Sequence, residues 1–314
     1  MVCGDRRLRL GELRATRHES SMMNPKKRRL LLIGIASLAL LVGVIASQLP
    51  SWGAGALLHP WRRCVHQPPP ANCEDAVFAG SGVMLKGWRG SAPSPEKRGT
   101  IICLHGVADN RASSAGVIER FIGKGFDVIA YDSRAHGESG GEFCTYGYFE
   151  KEDLRRVLDT IETGPIVLIG SSLGAAVALQ AAADNPRVAA VVAAEVFCDL
   201  RTIARDRAPF FVAEGMIRKA LSVAGQRGAF DVDSVSPMIA ARRVNAPVLL
   251  IHGAEDIDTR PEHSRRVFAA LPGPKRLILV ENARHNESLS QASVWVAIEN
   301  WLAGVLQQAA TQDR

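Results

Sequence analysis

The segment Ile166-Val-Leu-Ile-Gly170-Ser171-Ser172-Leu173-Gly174 holds one serine in a frame suited to nucleophilic chemistry. The four apolar residues at its start read as a strand, and the Ala-Ala-Val-Ala-Leu run after it reads as a helix. Between them, G-x-S-x-G implies a turn so sharp that no side chain fits at Gly170 or Gly174. That turn lifts the Ser172 hydroxyl to a helix N-terminus, where free N–H groups and the helix dipole favour developing negative charge. Ser171 is out of register for this position. A bare G-x-S-x-G arises often by chance; the flanking strand and Ala-rich helix make this one specific. A hydroxyl is a weak nucleophile at neutral pH, so Ser172 needs a base from elsewhere in the chain.

The elements that must position it alternate between strand and helix. Short β-branched or apolar runs occur at 82–88, 100–104, 127–131, 166–169, 188–193, 247–251 and 276–280. Helical patterns lie between most of them, at 112–124, 149–162, 173–183, 262–271 and 291–308. Runs such as Val248-Leu-Leu-Ile251 are apolar throughout, as strands buried on both faces are. The expected fold is α/β, a mostly parallel central sheet with helices on both faces. More than fifty residues separate the runs at 188–193 and 247–251. A connection of that length is usually functional, and residues 200–228 are expected to form a small helical lid; the alternative is extra core helices.

On these motifs the chain from about 80 to 310 resembles the α/β-hydrolase superfamily, and within it the serine hydrolases near the S33 peptidase and esterase group. His105-Gly106 resembles the family's oxyanion loop, which implies that the backbone N–H of Val107 joins that of Leu173 around an oxyanion. Asp132-Ser-Arg134-Ala-His136-Gly137-Glu-Ser139 is similar to the structural D-x-R-x-H-G-x-S turn. His252-Gly253-Ala-Glu-Asp256 resembles H-G-x-x-D and implies Asp256 as the acid; His285 follows the last strand, where the family keeps its base. The order Ser172, Asp256, His285 is the one this fold uses. In these roles His285 takes the Ser172 proton and returns it to the leaving group. Asp256 fixes the imidazole tautomer and stabilises the imidazolium. His105 and His252 precede glycines at strand ends and are expected to make structural hydrogen bonds, and His136 to brace its turn. Glu255, Asp258 and Asp199 compete with Asp256 for the role of acid. Cys144 and Cys198 fall in loops and are read as free thiols or a disulfide rather than as nucleophiles.

The N-terminus carries a different signal. Residues 1–29 contain nine Lys/Arg against three acidic residues, which accounts for the whole net charge of +6 and leaves the remainder neutral. No basic face for nucleic acid is implied. Residues 30–49 hold no charge and, as a helix, span roughly 30 Å, the thickness of a bilayer core. Lys26-Lys27-Arg28-Arg29 before them favours a cytoplasmic N-terminus. The expectation is a basic tail over 1–29, with Met22 or Met23 as an alternative start. A transmembrane signal-anchor over 30–49, or a signal peptide cleaved near Ala46, is followed by a linker over 50–76 and the hydrolase domain over 77–312. The catalytic domain is then extracytoplasmic, held by the anchor, or secreted if the signal is cleaved. There Cys64 and Cys73 form a disulfide or remain two free thiols; the sequence favours neither. Cys103 reads as a small core residue.

No Cys or His spacing matches a metal site, and no cofactor is implied. The leading function is a carboxylesterase-like serine hydrolase that cleaves small-molecule acyl substrates. Phe210, Phe211, Val212 and Met216 would supply an apolar lid. An alternative is a peptidase acting at a substrate N-terminus, with Glu195, Asp206 or Glu214 pairing the free amine. The other is a non-catalytic binding protein on the same scaffold. The motifs fix neither substrate nor oligomeric state.

Overall fold

The computed structural model describes residues 24–93, 96–183 and 185–312. Residues 1–23 of the basic tail, with both alternative start methionines, lie outside the described residues. The chain divides into two units, 1–48 and 49–314. In the first, residues 25–48 belong to α1 (Pro25–Leu58), whose most apolar 18-residue window has a mean hydropathy of 2.7. By length and composition α1 is sufficient to cross a membrane.

The second unit is built on one eight-stranded sheet: β1 (Cys73–Ala79), β2 (Met84–Gly90), β3 (Thr100–Leu104), β4 (Asp127–Tyr131), β5 (Ile166–Ser171), β6 (Val188–Ala194), β7 (Val248–Gly253) and β8 (Lys275–Val280). Their spatial order is β1-β2-β4-β3-β5-β6-β7-β8. The pairs from β4 to β8 are parallel, and β2 runs antiparallel to both its neighbours. Alternate residues of the central strands feed two cores, one on each face. Ile102, Leu168 and Leu250 pack on the side of α3 (Glu150–Leu158) and α4 (Leu173–Ala182). Ile101, Val167 and Leu249 pack on the side of α2 (Ala115–Ile122) and α9 (Ala292–Gln312). This is the mostly parallel sheet with helices on both faces that the apolar runs imply.

Two parts of the expected 50–76 linker are structured instead. The helix runs through Pro50 to Leu58, and its Pro50, Ala54 and Leu58 are buried within the second unit. Pro50 removes one helical hydrogen bond, but burial of its ring and of the small residues after it offsets that loss. His59-Pro60 then ends the helix, because the residue before proline is pushed out of the helical region. Cys73–Ala79 forms the edge strand β1, in which only Phe78 is buried. With one apolar anchor and Glu74 and Asp75 exposed, it lacks the alternation that marks a strand. Between β6 and β7, the segment 200–228 contains α5 (Leu200–Asp206) and α6 (Glu214–Gly228), followed by the short α7 (Pro237–Ala241); α8 (Pro261–Ala270) joins β7 to β8.

Candidate active site

The β5–α4 junction shows why its sequence needs two glycines. A Cβ on Gly170 would lie 2.4 Å from the Gly174 backbone, and one on Gly174 only 2.1 Å from the Leu104 carbonyl oxygen. With both spaces empty, the chain reverses at Ser172, whose backbone is held at φ 50°, ψ −109°. A non-glycine residue there is strained, and the surrounding structure must enforce it. Part of that enforcement is the Ser172 N–H donating to the Ala194 carbonyl of β6 at 2.8 Å. The side chain is only 3% exposed and stands at the start of α4.

His285 reaches this serine from the loop after β8. Its Nε2 lies 3.1 Å from Ser172 Oγ, and its Nδ1 lies 2.7 Å from Asp256 Oδ2. Asp256 sits beyond β7, and its other oxygen accepts the N–H groups of Asp258 and Thr259 at 3.0 and 2.8 Å. Burial pushes the Asp256 carboxyl upward. Hydrogen bonds from His252, His285 and the Thr259 N–H together outweigh that and hold it well below the usual carboxylate range. Gly253 lets this turn meet the His285 loop, since a Cβ there would lie 2.3 Å from the Ala283 carbonyl oxygen. A hydroxyl, an imidazole and a carboxylate in this series can move a proton from Oγ to Nε2 while Nδ1–H stays on the carboxylate.

Val107 and Leu173 both lie beside Ser172 in the same cavity. Leu173 is the first residue of α4, so its N–H has no partner within the helix. The approach of the 105–107 loop is close: a Cβ on Gly106 would be 3.6 Å from Ser172 Cβ. His105 holds that loop. Its Nε2 accepts the Ser133 N–H at 2.9 Å, which leaves Nδ1–H to donate to the Gly106 carbonyl at 2.7 Å. His136 Nδ1–H donates to the Arg134 carbonyl within the D-x-R-x-H-G-x-S turn, and burial drives its pKa down to about 4. His252 is buried and bonded to Ser264 and Thr259.

The remaining candidates are elsewhere occupied. Asp199 caps α5 through the Thr202 N–H and hydroxyl and does not bond His285. Glu255 and Asp258 are exposed. Cys64, Cys73, Cys103, Cys144 and Cys198 are all free thiols. Burial pushes Cys198 up to about 11, although His263 Nδ1 lies 3.2 Å away, so it is poorly suited to be a thiolate nucleophile.

Two residues near the site have roles the sequence did not reveal. Glu195 was a candidate amine anchor for peptides, but it is buried. It accepts the Asn286 N–H at 2.6 Å and the Ser288 hydroxyl at 2.6 Å, and so fixes the loop that carries His285. Arg207 donates to Thr259 Oγ1 at 2.8 Å, and its guanidinium comes within 3.4 Å of His285 Nε2. Two cavities meet at Ser172: an apolar one of about 570 Å³ and a polar one of about 340 Å³ edged by Asp206, Arg207 and Asn286. Phe211, Val212 and Met216 line the first. Phe210 does not; it is fully exposed. Among the described residues no cluster of His, Cys, Asp and Glu could hold a metal ion.

Residues 99–214 match the model of a family described as the alpha/beta hydrolase fold. With the sheet and the elbow above, this shows the α/β-hydrolase fold. It is 31% identical over 202 residues to YqkD of Bacillus subtilis (strain 168), covering 61% of this chain and 66% of that protein, just under two thirds of its length. YfhR of Escherichia coli (strain K12) is 28% identical over 238 residues, with 72% of this chain and 78% of the relative covered. Among solved structures, the esterase Pf2001 of Pyrococcus furiosus superposes with a TM-score of 0.61 at 24% identity, over 79% of this chain and 97% of that one; this is a likeness of fold.

Proposed function

We propose that the chain is a serine hydrolase that cleaves a carboxylic ester through an acyl-enzyme on Ser172. The supporting observation is the series Asp256–His285–Ser172, with contacts of 2.7 and 3.1 Å, ending on a strained serine that faces an apolar cavity. The Ser172 hydroxyl gives its proton to His285 Nε2 as Oγ bonds to the ester carbon. The carbonyl oxygen then becomes an oxyanion held by the Val107 and Leu173 N–H groups. Collapse expels the alcohol, which takes the proton from His285. Water, deprotonated by the same imidazole, attacks the acyl-enzyme carbonyl and releases the acid. Asp256, held as a carboxylate, keeps the proton on Nδ1 and stabilises the imidazolium. The cavity that receives the acyl group favours an ester over a peptide. Of the three carboxylates considered for a peptide amine, Glu195 is buried under the His285 loop and Asp206 is engaged by His263 at 3.2 Å.

The decisive pair of variants is Ser172→Ala and Ser171→Ala, assayed with a fluorophosphonate probe and p-nitrophenyl esters. Ser172→Ala is expected to abolish labelling and to lower turnover by roughly 10⁴-fold or more. Ser171→Ala is expected to keep the label; the opposite pattern would refute the assignment.

In this reading residues 30–49 anchor the protein in a membrane, with the basic residues before them cytoplasmic and the hydrolase unit on the far side. After carbonate washing the protein should stay with the membranes, and protease added to intact spheroplasts should digest the hydrolase unit. A soluble body would mean signal cleavage, and a membrane-bound, protected body would reverse the orientation.

A further inference from the structure

The larger cavity at Ser172 owes one wall to the end of the N-terminal helix. Leu49, Trp52, Gly53, Ala56 and Leu57 line it, at the i, i+3, i+4, i+7, i+8 spacing of a single helix stripe. The same turns bury Ala54 and Leu58 in the core, so one face docks and the other lines the cavity. This stretch is tied to the rest of the second unit. Arg227 donates to the Ser51 hydroxyl at 2.6 Å, Tyr146 to the Leu57 carbonyl at 3.2 Å, and the Cys144 N–H to the Leu58 carbonyl at 2.9 Å. Opposite it stands α6, with a Cβ on Gly53 only 3.2 Å from Ala220 Cβ. From Leu49 to Leu57 the wall rises ~12 Å, several times the length of a short acyl group.

Three features of this cavity bear on its ligand. Leu49, where the wall begins, is also the last residue of the candidate span 30–49, so the wall continues that span along the chain. Large aromatic side chains are left in solvent on the lining and next to it: Trp52 is 58%, Phe211 75% and Phe210 100% exposed. Trp52 follows the candidate span by only three residues in the chain, and an exposed indole suits the headgroup layer, where an amphipathic ring is favoured. The third feature is the change of polarity at the serine. Beyond Ser172 the smaller cavity presents Arg207, Asp258 and Asn286.

We infer that the substrate is a long-chain acyl ester of a membrane amphiphile, drawn from the bilayer that holds the enzyme. Its acyl chain lies along the Leu49–Leu57 wall and its polar alcohol lies in the cavity edged by Arg207. This rests on Ser172 being the nucleophile. Hydrolysis at that point divides the amphiphile where its polarity changes, releasing a fatty acid on one side and a polar alcohol on the other.

The test uses the full chain, first in detergent micelles with p-nitrophenyl butyrate and palmitate. Fluorophosphonate labelling of Ser172 is read in parallel. The palmitate-to-butyrate ratio of kcat/KM should exceed one and should fall at least tenfold in Ala56→Phe, which places a ring in the cavity. Met216→Trp, which fills it from α6, should act in the same direction and serves if the first variant does not fold. A labelled enzyme that prefers butyrate, or whose ratio survives both substitutions, overturns the inference while leaving the serine hydrolase reading intact. Loss of labelling at Ser172 in the wild type removes both. A second measurement tests delivery: the chain is reconstituted in phosphatidylcholine vesicles with a fluorogenic palmitoyl ester in the same vesicles or in separate ones. Turnover should be at least tenfold faster when enzyme and ester share a bilayer. Equal rates would overturn entry from the membrane.

Discussion

The polar side of Ser172 and its apolar side are built on different principles. On the polar side nearly every group is paired and has one permitted place. The carboxylate of Asp256 accepts two backbone N–H groups and the imidazole, Glu195 fixes the loop that carries the imidazole, and two glycines remove the atoms that would block the turn. On the apolar side, α5, α6 and residues 49–57 enclose space through van der Waals contact and a few peripheral hydrogen bonds. Buried polar groups are costly unless each is paired, so the first side tolerates almost no change. Apolar surfaces of similar volume substitute for one another, so the second side can drift in sequence while keeping its shape. In the proposed reading, chemistry is fixed by the first side and substrate choice by the second.

Substitutions that separate the two sides test this contrast. The largest effect is expected from Asp256→Asn, which keeps the shape but favours the wrong imidazole tautomer. It should lower kcat by about 10⁴-fold for short and long esters alike. A loss confined to one chain length would show that the two sides are not independent.

A smaller effect belongs to His136, in the turn that braces the 105–107 loop through the Ser133 N–H and His105. Burial, reinforced by the neighbouring His105, lowers its pKa from 6.5 to about 4. An unfolded histidine takes up its proton near 6.5, so between that pH and about 4 the unfolded state binds more protons than the folded one. Stability must then fall as pH falls through this window, by up to about 3 kcal/mol from this group. Urea midpoints of the wild type and His136→Asn from pH 7 to pH 4 measure it, and the variant should lose part of the acid slope. Parallel slopes would place the acid sensitivity elsewhere.

The smallest effect falls on the apolar side. Asp199 caps α5 and leaves His285 alone, so Asp199→Ala should cost about 1 kcal/mol of stability and change kcat less than tenfold. A large loss of kcat would mean that this aspartate supplies the acid after all.

The same contrast explains what was legible in the sequence. Gly170, Ser172 and Gly174 could be read because backbone sterics leave them no substitutes, and His252-Gly253 because its glycine meets another loop. The run of apolar strands gave the sheet and its two-sided burial. Glu195 was misread because burial and loop-bracing leave no local pattern around a single glutamate. The wall at 49–57 was hidden by Pro50, which looks like the end of a helix, although its apolar and small residues do recur at helical spacing. Phe210 was assigned to the lid with its neighbours, yet adjacent residues of an irregular loop need not face the same way. β1 escaped notice because an edge strand with one buried side chain has almost no hydrophobic signature.

The central claim is that turnover passes through an acyl group bonded to Ser172, and it can be tested without any variant. Wild-type enzyme turning over a p-nitrophenyl ester would be quenched in acid within milliseconds, digested, and its peptides weighed. A burst of p-nitrophenol is expected, with an added acyl mass on Ser172 alone that disappears as substrate is exhausted. An acyl mass on Ser171 or Cys198, or steady turnover with no acylated peptide at any time, would contradict it.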